Sequence, residues 1–273
     1  MREKYTHGHF GTIVDDHARR TAANSAAFLL PHLHSSDTLL DLGCGPGSIS
    51  LDLAEWVASV TGVDAAPEAI ERARHDCDRR IVRNATFQVS DVYDLDFADH
   101  TFDVVYAHQL LQHLSDPLAA LAEAKRVLKP GGTLAVREAD YGTMVHDPHD
   151  PLIDRWLELY RLLVRRNGGE ADAGRMLRRW VAETGFVDIT PSTSTWTYVT
   201  PEAIEAWRKL WTSRLLEARM GRSLVAEKLA TREEVENLAT AFDRWAAAPE
   251  PFFAFLHGEI LARSPNGDGP STT

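Results

Sequence analysis

The sequence predicts an α/β protein with a mostly parallel sheet and helices on both faces, and three observations carry that expectation. Short apolar runs alternate with amphipathic stretches through the first 140 residues, the pattern of repeated strand–helix crossovers. One run, LLDLGCGPGSIS at 39–50, passes from strand through a glycine turn into a helix. Asp41, Asp64, Asp91, Ala107 and Glu138 all stand at the C-terminal ends of predicted strands, which right-handed crossovers gather on one rim.

The elements follow in order. Residues 1–14 combine Tyr5, His7, His9 and Phe10 with Gly8 and Gly11, too polar for core and too aromatic for plain disorder. Asp15 or Asp16 caps a helix expected to reach about Leu33, packing through Ala22, Ala23, Ala26, Ala27, Leu29 and Leu30. The first strand is 38–42. Gly43, Gly45 and Gly47 make the turn, and the helix opens at Ser48.

A second strand at 59–64 ends on Asp64, about twenty residues beyond the first glycine. Pro67 starts a helix running to Cys77. The third strand, 86–89, leads into Ser90-Asp91-Val92, and the fourth, 101–106, into Ala107-His108-Gln109. A helix over 118–128 stops at Lys129-Pro130-Gly131-Gly132. The fifth strand, 133–137, leads to Glu138 and Asp140.

Beyond it come a loop with His146 and His149, helices over 152–166 and 172–184, and a sixth strand from Phe186. Helices fill 201–248, with Trp207, Leu210, Trp211, Leu215 and Leu216 on one stripe. That stripe reads first as core and second as a lid beside the ligand rim. A last buried strand is expected at 252–261. The tail after Arg263, rich in Ser, Pro and Gly, is expected to be disordered.

Composition narrows the function. The 273 residues are 44% hydrophobic and 25% charged, as in globular proteins. A net charge of −11 argues against a nucleic-acid-binding face. Basic clusters at 161–166 and 175–179 read as solvated helix faces. Two cysteines, Cys44 and Cys77, supply neither a disulfide framework nor zinc-ligand spacing. There is no apolar signal core or membrane-length run, so a cytoplasmic protein is expected.

The turn distinguishes between ligands. A dinucleotide fingerprint reads G-x-G-x-x-G, whereas Gly43, Gly45 and Gly47 alternate after Asp41. An acid there suits an ammonium group better than a pyrophosphate. S-adenosylmethionine, an aminoacyl nucleoside without phosphate, therefore fits better than NAD.

The linked motifs DLGCGPG, Asp64, SD at the third strand's end and LKPGG resemble class I S-adenosylmethionine-dependent methyltransferases. With HQLLQHLSDP after the fourth strand, the chain is most similar to the ubiquinone/menaquinone-biosynthesis C-methyltransferase-like small-molecule branch. The resemblance covers about 15–140 and weakens beyond Asp140. With the seven strands and the N-terminal helical arm read above, it implies a Rossmann-like, mostly parallel sheet with an antiparallel last strand. A helical insertion would lie between the last two strands.

One methyltransferase domain would span 1–263, with the arm and its helix at 1–34 and a cofactor core at 35–140. Substrate-side insertions would fall at 141–170 and 201–248, and a disordered tail at 264–273. The cofactor implied is S-adenosyl-L-methionine, leaving S-adenosyl-L-homocysteine as product. Asp41 and the turn of Gly43, Cys44, Gly45 and Gly47 would hold the methionine end. Asp64 would take the ribose hydroxyls. Ala65, Asp91 and Val92 would surround the adenine, and Ala107 and His108 would lie near the sulfonium.

A sulfonium methyl is already electrophilic, so the protein must chiefly align a nucleophile and exclude water. His113 and Glu138 are the candidate bases, each with a purely structural alternative. Tyr5, His7 and His9 form a candidate substrate lid. No metal is expected, because His7 with His9 and His146 with His149 lack a third ligand at suitable spacing.

The expected function is O- or C-methylation of a small molecule in biosynthetic or secondary metabolism, by a monomer or homodimer. The alternative is a cofactor-binding regulatory or accessory protein without turnover. The glycine spacing disfavours an NAD-dependent oxidoreductase, and the acidic charge an RNA methyltransferase.

Overall fold

A computed structural model describes residues 20–266. The strands are β1 (Thr38–Leu42), β2 (Ser59–Asp64), β3 (Ala85–Val89), β4 (Phe102–His108), β5 (Leu128–Ala139), β6 (Val145–Asp147), β7 (Val187–Tyr198) and β8 (Phe252–Arg263). They form one sheet ordered β3-β2-β1-β4-β5-β8-β6, with β7 also paired to β8. The first five strands are parallel, and β8 runs antiparallel to β5. By register, β5 and β6 share one edge of β8 while β7 takes the other.

The helices are α1 (Ala22–Ser25), α2 (Ser48–Leu53), α3 (Pro67–Arg80), α4 (Pro117–Val127), α5 (Pro151–Arg166), α6 (Leu177–Glu183), α7 (Pro201–Leu216), α8 (Arg219–Ala226) and α9 (Arg232–Ala246). Proline at the first turn of α3, α4, α5 and α7 suits helix starts, where no amide partner is needed. Asp116, Asp150, Thr200 and Thr231 cap their helices through side-chain oxygens.

Leu39, Val104, Tyr106 and Ala135 pack against Ala22, Leu29 and Leu53 in one core cluster. Leu40, Val105 and Leu134 pack against Leu121, Ala124 and Val181 in another. A third, aromatic cluster joins α5, α7, α8 and α9 to β8 through Trp156, Trp207, Trp211, Phe242 and Phe253. Among the described residues, no helix is long and apolar enough to cross a membrane.

The structure departs from expectation in several places. An eighth strand, β6, appears beyond the end of β5; three residues are too few to show a period. Within the described residues the expected arm helix is one turn, capped by Thr21 and followed by a 3₁₀ turn at Leu30–His32 containing Pro31. Asp15 and Asp16 lie outside those residues. The run expected to end a helix at 129–132 instead begins β5, with a register shift between Phe102 and Val104.

The helix expected over 172–184 divides into a 3₁₀ turn, Ala173–Met176, and α6. Close backbone approach explains the turn. A Cβ on Gly174 would meet Glu138 O and Gly258 N at 2.9 Å, and one on Gly258 would meet Gly174 O at 2.2 Å. Only paired glycines admit this approach to the β5–β8 seam.

Candidate functional site

β1 lies between β2 and β4, so successive crossovers leave it in opposite directions and open a crevice at the strands' carboxyl ends. The glycine turn sits there. Gly43, Gly45 and Gly47 have φ of 68°, 54° and 78°, a left-handed conformation that side chains resist. A Cβ on Gly47 would also meet Ala73 Cβ and the Phe87 ring at 2.9 Å. The amide of Cys44 donates to Val63 O at 3.0 Å, tying the turn to β2. Burial pushes the Cys44 thiol well up, which leaves it unreactive.

Asp64 is half-buried at the lip of this turn. Its Oδ2 accepts from Gly45 N at 3.0 Å and its Oδ1 from Ala66 N at 2.9 Å. Ala65 beside it is exposed. Asp41 is only 2% exposed, and its Oδ2 accepts from Ser50 Oγ at 2.5 Å. Burial raises its pKa to about 7 against the pull of that bond, with the Asp64 charge adding to the rise. Asp41 thus faces the start of α2, behind the turn. Asp91 is exposed and accepts from Tyr93 N at 3.0 Å. Val92, Ala107 and His108 are buried.

The rim beyond β4 is a packed cluster of polar and aromatic groups. The His108 ring lies 5.8 Å from Trp196 and 6.3 Å from His257. Gln109 turns the chain at a φ of 50°, its N donating to Arg137 O and its Nε2 2.8 Å from His257 Nε2. Burial, with Arg137 and Arg20 nearby, pushes the His257 imidazole well down, so the ring is neutral. Below it Arg137 lies 3.2 Å from Glu259, and Ser192 and Ser194 donate to the same carboxylate.

Burial sets the protonation of both candidate bases. Glu138 is fully buried, and its Oε1 accepts from Leu110 N at 2.8 Å and Leu111 N at 2.6 Å. Burial raises its pKa to about 8 despite those bonds. At neutral pH it is therefore mostly protonated, and it brackets the turn after β4. His113, on the 3₁₀ turn Leu111–His113, is brought down to about 3 by burial, with Arg214 and Arg20 adding to the fall. It is neutral and a weak proton acceptor.

Tyr5, His7 and His9 lie outside the described residues. His146 and His149 serve the start of α5: His146 Nε2 accepts from Asp150 N at 3.2 Å, and His149 Nε2 lies 2.8 Å from Asp154. The sequence reading missed Gln109, Arg137, Arg214, His257 and Glu259. They come from the turn after β4, from β5, from α7 and from β8; Gln109 falls within HQLLQHLSDP, and no local motif marks the other four. The buried charge of Arg137 and Glu259 within apolar strands was the available signal.

Comparison with known proteins supplies the remaining findings. The family profile described as "Methyltransferase domain" matches residues 40–136. An uncharacterized methyltransferase of Schizosaccharomyces pombe is 33% identical over 270 residues, covering 94% of this chain and 95% of that protein. The 27-O-demethylrifamycin SV methyltransferase of Amycolatopsis mediterranei is 38% identical over 116 residues, 40% of this chain and 41% of that protein. Among solved structures, the YcgJ protein from Bacillus subtilis is similar at a TM-score of 0.58 and 20% identity, covering 88% of this chain and 98% of that one.

Proposed function

The chain belongs to the class I S-adenosylmethionine-dependent methyltransferases, and from that premise we propose that it methylates an oxygen or carbon of a small-molecule acceptor in biosynthetic or secondary metabolism. S-adenosylmethionine is its cofactor, and it supplies an activated methyl group. The glycine turn fits that molecule: three left-handed residues present backbone, and the half-buried Asp64 carboxylate stands at the lip. Two acids so near disfavour a pyrophosphate and suit a cationic, polyhydroxylated nucleoside.

We assign Asp64 to the ribose hydroxyls. The backbone of Gly43, Cys44, Gly45 and Gly47 takes the methionine end, with Asp41 setting the charge behind it. Ala65, Asp91 and Val92 flank the adenine, and Ala107 and His108 border the sulfonium. Glu138 acts by position, holding the amides of Leu110 and Leu111 so that the turn after β4 keeps its shape. With Glu138 protonated and His113 weakly basic, the chain's contribution is alignment and exclusion of water. An acceptor whose oxygen or carbon ionises readily fits such a site.

The observation that carries the small-molecule reading is the rim's far side. There the His108 ring meets Trp196, which meets His257, and Phe255 links His257 to Trp207 of the helical lobe, so the sheet end is closed by aromatic rings. O-methyltransferases of Penicillium expansum and Aspergillus sclerotiorum share 36% and 32% identity over 124 and 150 residues, which supports transfer to oxygen. Incubation with methyl-labelled cofactor and a panel of phenols, hydroxy acids and acidic carbon compounds tests the reading. A methylated small molecule by mass spectrometry is expected. Label confined to protein or RNA, or cofactor binding without turnover, overturns it.

A further inference from the structure

Arg214 lies on α7, in the helical lobe, and is 4% exposed. Its Nε is buried with no hydrogen-bond partner, and among the described residues its guanidinium forms neither an ion pair nor a side-chain hydrogen bond. Its close neighbour is the face of Trp211, 4.7 Å from the ring centre. Arg137 makes the contrast: it is buried too, but it faces Glu259 and Ser194. A buried cation without an anion is costly, and such a group marks a place where a partner arrives.

Other orphaned groups lie close by. Gln112 Oε1 and Glu138 Oε2 are buried without hydrogen-bond partners. Both belong to the bracketed turn that carries His113, and Arg214 is near enough to His113 to lower its proton affinity. Glu138, which holds the turn through His113's neighbours Leu110 and Leu111, forms no ion pair with Arg214, and burial raises its pKa to about 8. Arg214 and Arg20 thus bring positive charge to the turn that carries His113, in a chain whose net charge is −11.

We propose that Arg214 is the residue that selects the methyl acceptor, gripping a carboxylate of that molecule through its planar fork. This rests on the methyltransferase reading and names its substrate class as carboxylic acids. The forked guanidinium matches carboxylate geometry with two parallel hydrogen bonds, which a lysine ammonium does not reproduce. Stacking on Trp211 holds the fork in one plane. The carboxylate is the recognition group, apart from the atom that receives the methyl.

Matched acid and amide pairs test the proposal: para-hydroxybenzoate against para-hydroxybenzamide, and salicylate against salicylamide. Binding is read by calorimetry and by quenching of tryptophan fluorescence, with S-adenosylhomocysteine saturating. The acids are expected to bind about tenfold or more tighter than their amides. Arg214→Gln should abolish that preference and Arg214→Lys retain part of it, with S-adenosylhomocysteine affinity unchanged in both. Equal binding of acid and amide, binding of neither, or a full preference in the variants overturns the proposal. Should Arg214→Gln lose S-adenosylhomocysteine binding through misfolding, Arg214→Lys decides: a reduced preference supports the proposal and an undiminished one overturns it. Failure of the unaltered protein to bind S-adenosylhomocysteine strikes the methyltransferase reading instead.

Discussion

Glu138 shows how one residue's surroundings decide its chemistry. In sequence it is an acid at a strand's end; in the structure it is a fully buried carboxyl accepting two backbone amides. Its pKa rises from 4.5 to about 8, so the folded chain binds a proton that the unfolded chain has released. Stability from this group is complete below the unfolded value and is lost as pH rises through about 8. His113, lowered to about 3, acts in the opposite sense: its contribution is present above 6.5 and lost as pH falls. Asp41, raised to about 7, loses stability in the same sense as pH rises through that value, so from pH 7 to 8 the comparison with Glu138→Gln, not the pH interval alone, separates the Glu138 carboxyl. Urea denaturation should show stability falling there by up to about 1 kcal/mol per pH unit. Glu138→Gln, which keeps a carbonyl for the two amides, should flatten that slope; an equal slope in both proteins would refute the account.

At the scale of elements, β8 is the strand on which the second half of the chain converges. It pairs with β5, β6 and β7, and Arg137, Glu259, Ser192 and Ser194 cross all three long strands. The two charged side chains are 1% and 7% exposed, so each depends on the other for neutralisation. Arg137→Met is expected to destabilise the fold by about 3 kcal/mol, because Glu259 then stays buried without its cation. Arg137→Met combined with Glu259→Leu should recover most of that loss in chemical denaturation. A double variant as unstable as the single one would mean that packing, not charge, holds the strands together.

For the molecule as a whole, the glycine turn and the aromatic lobe are separate stores of stability around one rim. Trp156 is fully buried, 4.2 Å from Trp211 and 5.0 Å from Phe242 between ring centres. Trp156→Leu should cost about 3 kcal/mol in thermal or urea denaturation. Its cluster does not include the glycine turn, so S-adenosylhomocysteine affinity should change less than threefold, a rough bound for additive, distant sites. A larger loss of affinity would show that the lobe and the turn are coupled.

The strand–helix alternation through Ala139, the glycine turn and the positions of Asp64 and Asp91 were legible in the sequence alone. Each rests on local physics: a residue's periodicity, its φ, or its place at a strand end. The helices of the lobe were legible from the same periodicity. Short elements were not: β6 has three residues, and the division of the 172–184 helix comes from Gly174 meeting Gly258, 84 positions along the chain. Nor were the states of the site's charges. That Glu138 is protonated, His113 weakly basic and Arg214 without an anion depends on what packs around each. Burial and partner choice are set by contacts distant in the chain, so only the tertiary structure decided them.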